Sequence, residues 1–185
     1  GCTSLPATYT VTVNPVADVV LTASEQTRCS GSPTAPVPLA TNITGATVQY
    51  TWSAVCQEGI IACPPSGGPA SQIPTFTFDL DGATFVQKTA TYTITPSIGT
   101  CTGTPSDYLV RINPIPDVTV TPATHPAICS GAMTNFTYAS QVAFPVFTWS
   151  ATAGSNIVPA TLTNRTNNPV QEVFTNSGNT VQSVE

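Results

Sequence analysis

Charge is what this 185-residue sequence has least of: Asp, Glu, Lys and Arg together make 7% of it, against ~25% in ordinary globular domains. Lys88 is the single lysine, and Arg28, Arg111 and Arg165 complete the basic set. Without a Lys/Arg stripe to neutralise phosphates, nucleic acid is not expected as a partner. The net charge of -5 is modest and dispersed, and bears on solubility more than on recognition. Long apolar runs are missing too. Nothing approaches the ~18 uninterrupted apolar residues of a membrane-spanning helix. The start has no initiator Met and no basic segment leading into an apolar one, so any signal peptide is expected upstream of Gly1. Gly1-Cys2 does not read as a lipoprotein start, because lipidated chains begin at the Cys itself.

Catalytic patterns are also lacking: no GxSxG, HExxH, P-loop or GxGxxG run occurs. The expectation is therefore a non-enzyme, with no catalytic residue, no cofactor and no metal site. Zinc-type C-x2-C pairs are absent, although there are six cysteines. That number in so short a chain points to disulfides in an oxidising compartment, outside the cytoplasm.

What fills the space left by charge is Thr, Ser, Asn, Gly and Pro, while hydrophobic residues still make 41%. Those residues alternate, which argues for folded strands and against disorder. Tyr9, Val11 and Val13 share one face, with Thr8, Thr10 and Thr12 on the other, as in a half-buried strand. The same pattern recurs at Val19 and Leu21, at Val48, Tyr50 and Trp52, at Phe76, Phe78 and Leu80, at Tyr92 and Ile94, and at Tyr108, Val110 and Ile112. Thr suits the wet face because a β-branched side chain fits the pleat while its hydroxyl stays solvated. Many short strands between Gly/Pro/Ser/Asn turns predict an all-β antiparallel sandwich.

The sequence also repeats itself. YTVTVNPVADV begins at Tyr9 and YLVRINPIPDV at Tyr108, a spacing of about one small domain. Side by side, Cys2 matches Cys101, Asp18 matches Asp117, the CSG at Cys29 matches the CSG at Cys129, and the TWSA at Thr51 matches the TWSA at Thr148. This frame makes residues 1–15 the last strand of a preceding repeat, residues 16–115 a complete unit, and residues 116–185 a unit lacking its two closing strands. The chain is then a window cut from a longer array, or its open sandwich is completed by strands of another copy. Asn14-Pro15 and Asn113-Pro114-Ile115-Pro116 fall at the joints, stiffened by the restriction Pro places on itself and its predecessor.

YTVTVNP, CSG, TWS, YTITP and GTCTGTP together resemble the PKD-like, immunoglobulin-fold repeats found in long arrays in secreted and cell-surface proteins of Bacteroidetes, including gliding and adhesin-type proteins. The likeness covers nearly the whole chain. In PKD domains proper the Trp strand continues as WDFGDG, whereas Trp52 is followed by SAVC and Trp149 by SATAG, so the likeness is to the PKD-like group. The resemblance implies tandem immunoglobulin-like (PKD-like) antiparallel β-sandwiches, seven strands to a unit, in a surface-exposed array. It implies no particular chemistry.

Individual residues fit that frame. Trp52 and Trp149 fall on inward faces and are expected in the cores, as in strand C of immunoglobulin folds, in preference to a sugar-stacking platform. Asp79-Leu80-Asp81-Gly82 has the carboxylates and the Gly of a calcium loop's beginning. The further ligands are missing, however, and Asp-Gly between strands is a turn signal. His125, the only histidine, lies in THPAICSG opposite Glu25 of the other copy and reads as a loop residue. Asn42-Ile43-Thr44, Asn135-Phe136-Thr137 and Asn164-Arg165-Thr166 match the glycosylation triplet, a coincidence expected of so Asn- and Thr-rich a chain.

Cys56 and Cys63, in the insertion CQEGIIAC, are expected to form a local disulfide. Cys29 and Cys101 fit two arrangements. One is a bond within the unit. Against it, the two loops of an immunoglobulin sandwich lie about 17–20 Å of strand apart, beyond the ~7 Å limit on Cα separation. The other joins the Cys at the bottom of one unit to the Cys at the top of its neighbour, and either arrangement leaves Cys2 and Cys129 without partners in this chain.

The functional expectation is a stiff, secreted or cell-surface spacer of a filament or adhesin stalk, its partners being neighbouring repeats and copies of itself. Few Lys/Arg would leave few sites for trypsin-like proteases. The second reading is a glycan- or protein-binding accessory module of a larger secreted protein.

Overall fold

The computed structural model describes residue 5, residues 7–124 and residues 127–185, none of them helical. Backbone contacts divide the chain into Gly1–Pro114 and Ile115–Glu185. The first unit contains β1 (Glu25–Cys29), β2 (Val37–Pro38), β3 (Gln49–Cys56), β4 (Gln72–Ile73), β5 (Lys88–Ile98), β6 (Cys101–Thr102) and β7 (Ser106–Asn113). One layer is the sheet β1-β7-β5-β3, with β6 closing a hairpin onto β5. The other is β2 paired with β4, extended by bridges from Val20 to Ala40 and from Pro33 to Thr77.

Alternation determines what lies between the layers. β5 turns Ala90, Tyr92 and Ile94 inward, β7 adds Tyr108, Val110 and Ile112, and β3 adds Tyr50 and Trp52. They meet Val37, Leu39, Ile73 and Phe78 of the opposite layer in one buried cluster, with Val19, Leu21, Val48, Phe76 and Leu80 packed at its margin. Each large side chain so buried contributes about 1.5–3 kcal/mol. The outer face of β5 carries Thr89, Thr91, Thr93 and Thr95. Thr95 and Thr93 sit opposite Thr51 and Ser53 of β3, a solvated face kept β-compatible by branching. The all-β sandwich expected from the alternation is the observed fold.

The pairing corrects the expectation of a purely antiparallel sandwich, because β1 runs parallel to β7, with Glu25 opposite Leu109 and Cys29 opposite Asn113. The reason lies in the first strand, which changes layers without reversing. Val20 bonds Ala40 in one layer, and by Ser24 the chain has moved to the other, where the Ser24 carbonyl accepts from the Leu109 N–H. Strands that turn such corners are a standard way of joining packed sheets. The opposite edge, β3, is blunted: Trp52 and Gly67 exchange both backbone hydrogen bonds at 2.9 Å. Gly67 belongs to the PPSGGP segment, whose prolines cannot extend a ladder.

The strand expected at Tyr9, Val11 and Val13 is also corrected. Described residues 7–16 are exposed and form no strand, and Tyr9 is 90% accessible. No described residue offers these backbone groups a ladder, so the alternating pattern has nothing to pair with.

The second unit contains β8 (Thr119–Thr121), β9 (Thr137–Ala139), β10 (Trp149–Thr152), β11 (Ile157–Val158), β12 (Thr161–Arg165) and β13 (Thr175–Asn176), paired β8-β9, β10-β12 and β11-β13. Tyr138, Ile157, Leu162 and Val170 are buried, and Phe147 meets Tyr138 edge-on at 4.8 Å. Trp149 departs from its expected core position. Trp52 is covered from β5, but β10 pairs with β12 alone among the described strands, so Trp149 is only half-buried and its indole N–H donates to the Asn167 carbonyl at 3.3 Å.

Two predictions follow from the first unit's packing. A Cβ at Gly67 would lie 2.4 Å from the Trp52 ring, so Gly67→Ala should destabilise this unit by about 1–3 kcal/mol. Urea unfolding followed by tryptophan emission measures it, and an unchanged midpoint would contradict the packing. Burial pushes the Tyr92 phenol from 10.0 up to about 12. The unfolded chain therefore loses its Tyr92 proton first, and stability should fall as pH rises from 10 towards 12. Tyr92→Phe should flatten that alkaline limb in denaturation midpoints measured against pH.

Candidate functional site

Among the described residues no three His, Cys, Asp or Glu side chains gather closely enough to hold a metal ion. Three sets of polar side chains instead make matching hydrogen bonds in both units.

At the leading end of the first unit, Ala17 is buried against the β5–β7 hairpin, so closely that a Cβ on Gly103 would fall 1.9 Å from the Ala17 carbonyl oxygen. The next residue, Asp18, accepts hydrogen bonds from the Thr41 hydroxyl and the Asn42 N–H, while Thr41 Oγ1 accepts from the Ile43 N–H at 3.0 Å. The Tyr50 hydroxyl is buried nearby without a well-formed hydrogen bond. Burial first, and the Asp18 charge second, raise its pKa. In the second unit Asp117 accepts from the Ser140 hydroxyl at 2.7 Å and the Gln141 N–H at 2.8 Å, and Ser140 Oγ accepts from the Val142 N–H at 3.1 Å. Each carboxylate thus fixes the chain to a hydroxyl 23 residues onward.

At the trailing end, the CSG triplet has an assignable role in two of its three residues. Gly31 adopts φ +78°, which favours glycine, and its N–H donates to the Phe78 carbonyl at 2.9 Å. Ser30 Oγ accepts from the Leu80 N–H at 2.9 Å. The second unit makes the same bonds: Gly131 at φ +82° donates to the Phe174 carbonyl, and Ser130 Oγ accepts from the Asn176 N–H at 2.9 Å. The joint residue Asn113 is held here as well, its carbonyl accepting from the Ser30 N–H at 2.8 Å and its amide oxygen from the Gln87 side chain at 2.7 Å.

A third clamp recurs in both units. Thr34 is buried, and its Oγ1 accepts from the Phe76 N–H at 2.9 Å. Thr134 Oγ1 does the same for the Glu172 N–H at 2.9 Å. Sequence reasoning missed the threonine and aspartate clamps. The available signal was that Asp18/Thr41 and Thr34 recur, as Asp117/Ser140 and Thr134, within the aligned copies.

The cysteines separate into two kinds. Cys56 and Cys63 form a disulfide with Cα atoms 5.8 Å apart, closing the loop that follows β3; a loop this short stabilises by about 2–3 kcal/mol. Cys29, Cys101 and Cys129 are free and exposed. The arrangement in which Cys29 bonds Cys101 within the unit is not formed. Cys29 flanks Ile112 of β7, which pairs with Lys88, whereas Cys101 pairs with Ile98. From Lys88 to Ile98 is ten residues of one strand, about 33 Å, far beyond a disulfide's reach. Cys2 and His125 lie outside the described residues.

Asp79-Leu80-Asp81-Gly82 is a turn and a short bridge. Leu80 pairs with Ile60, the Asp81 carboxylate accepts from the Ala83 N–H at 3.2 Å, and the Asp81 carbonyl accepts from the Thr84 N–H at 3.1 Å. A surface depression of about 580 Å³ is open and lies in the second unit against Tyr138, Pro145, Val146, Phe147 and Asn168.

The Asp117 clamp makes a pH prediction. Hydrogen bonds from Ser140 first, then from Gln141, hold its carboxyl below the ordinary carboxylate value. A depressed folded pKa adds stability above the unfolded value of about 3.9, and that contribution is lost as pH falls through the lower, folded value. Amide-exchange protection at Gln141 and Val142 should therefore drop with acidification. In Asp117→Asn it should be lower at neutral pH and insensitive to acid; equal protection in both proteins would refute the clamp.

Residues 126–185 match the family model described as the PKD-like domain. No curated protein and no solved structure is similar to the chain. The match lies within the second unit, and it suggests an extracellular structural or adhesive module of a generally non-catalytic kind.

Proposed function

We propose that the chain is a stretch of an extracellular spacer built from PKD-like sandwiches in tandem, carrying tension along a cell-surface stalk or filament. Residues 16–115 form one module and residues 116–185 part of the next. The neighbouring modules and other copies of the chain are its partners, and a surface glycan or protein is the target held at its tip.

The observation that carries this reading is the parallel pairing of β1 with β7. The chain enters the module ahead of β1 and leaves it after β7, so tension pulls the two strands in opposite directions along their common axis. Their hydrogen bonds then share the load in shear and do not open one at a time. The clamps at Ala17, Asp18 and Asn113 direct that tension into the sheet at both ends. The recurrence of the CSG, aspartate and threonine bonds supports a tandem arrangement.

Single-molecule pulling through the two ends of the chain tests it. The first unit should resist at high force, because forced unfolding follows the barrier to strand separation. Parallel pairing places Gln26, Arg28 and the flanking Ser24 and Ser30 toward β7, so Arg28→Pro, which removes one such donor, should lower the unfolding force markedly. An unfolding force that is low in the parent and unchanged in the variant would sink the reading. Reproducible binding of the isolated chain on a glycan array would favour the accessory-module reading instead.

A further inference from the structure

Within the CSG triplet Ser30 and Gly31 are accounted for by the bonds they make, and Cys29 is not: its side chain is exposed and its thiol is free. The same holds for Cys129 beside Ser130 and Gly131. Cys101, also exposed and free, sits at the other end of the sandwich on the hairpin that packs against Ala17. One thiol therefore marks the end where the chain leaves the module, beside Asn113, and the other the end where it arrives. About 33 Å of strand separates them, so neither can satisfy the other within a module, and they mark its opposite ends.

We infer that Cys29 and Cys101 are complementary halves of an intermolecular disulfide, the Cys29-type thiol at the trailing end of one copy bonding the Cys101-type thiol at the leading end of a second copy. Cys129 belongs to the Cys29 type. The inference rests on the tandem-spacer reading, because end-to-end packing brings opposite ends together and keeps like ends apart. The oxidant is a low-molecular-weight disulfide. One protein thiolate attacks it and forms a mixed disulfide, releasing one small thiol. The second protein thiolate then attacks the protein sulfur of that mixed disulfide and releases the other. Two protein thiols lose two electrons and two protons, and one small disulfide becomes two small thiols. Covalent closure at the ends would cross-link one copy to the next.

The test exploits the four basic residues. Cleavage after Arg28, Lys88, Arg111 and Arg165 places Cys29 with the Cys56–Cys63 pair on 29–88, Cys101 on 89–111 and Cys129 on 112–165. Equal amounts of unlabelled and ¹⁵N-labelled 185-residue chain are oxidised together in a glutathione redox buffer, digested without reduction and mapped by mass spectrometry. The expected result is 89–111 joined to 29–88 or 112–165 in mixed-isotope pairs. These should exceed like-with-like pairs about tenfold, as the raised effective concentration of docked thiols requires. Cys101→Ser should abolish them and leave Cys56–Cys63 intact. Same-isotope pairs alone, like-with-like pairs in equal yield, or glutathione adducts without cross-links would each overturn the inference. A chain that fails this test but still resists pulling would retain the spacer reading, whereas a weak chain that nonetheless cross-links would lose that reading and keep the disulfide.

Discussion

The first sandwich depends on one strand being satisfied on both sides. β5 pairs with β7 from Lys88 to Ile94 and with β3 from Ala90 to Ser97, and its alternation sends five consecutive inward positions, Ala90 to Ile98, into buried space. A backbone fully paired in both directions can be surrounded without stranding polar groups, and only then can Tyr92 and Ile94 be as dry as they are. Everything else packs on that strand: Trp52 from one flank, Val110 and Ile112 from the other, Phe78 and Ile73 from above. The second unit shows the converse. Among the described residues nothing occupies the place of β5 there, and its homologous tryptophan is correspondingly half-exposed although the local TWSA sequence is the same.

Polar side chains determine how the layers are held in register. The clamps of Thr34 on Phe76, Ser30 on Leu80 and Asp18 on Thr41 each use a short side chain to bond backbone or hydroxyl groups far away in sequence. Such bonds are directional where hydrophobic contact is not, and a buried acceptor left unpaired costs about 1–3 kcal/mol. Their reappearance in the second unit, at 2.9 Å for both the threonine and the serine clamps, means that fold specificity persists even where the core is less complete. A chain so poor in charge relies on neutral hydrogen bonds for this purpose. Its single described ion pair, Arg111 with Glu25, lies half-exposed at 2.9 Å on the β1–β7 seam, where such pairs contribute at most about 1 kcal/mol.

Much of this was legible in the sequence wherever the signal was local. Alternation located β3, β5 and β7 and chose their inward residues, because a period of two maps directly onto the two faces of a strand. The same local logic paired Cys56 with Cys63 across their short loop. It failed at Tyr9, Val11 and Val13, which alternate as well as any segment of the chain and yet form no strand, because a strand is a property of two chains of backbone and the pattern of only one was visible. It also missed the parallel β1–β7 pair. Direction of pairing is determined by where the chain crosses between layers, and EQTRC looks the same either way. The CSG triplet was noticed as a repeat, but its meaning was out of reach, since Ser30 meets Leu80 fifty residues away.

Charge poverty also constrains how copies of the chain can meet. With four basic and nine acidic residues spread over the sequence, there is little field to steer one copy toward another, and contacts that do form will respond weakly to salt. Uncharged Thr faces such as the outer side of β5 offer hydroxyls and methyls in a regular array with no charge to select a partner. Selectivity must then come from shape at the ends of the sandwich, from the blunted β3 edge, which disfavours lateral strand addition, and from bonds that form only in one arrangement. The proposed covalent bond between unlike ends of two copies would meet that last condition without any charge.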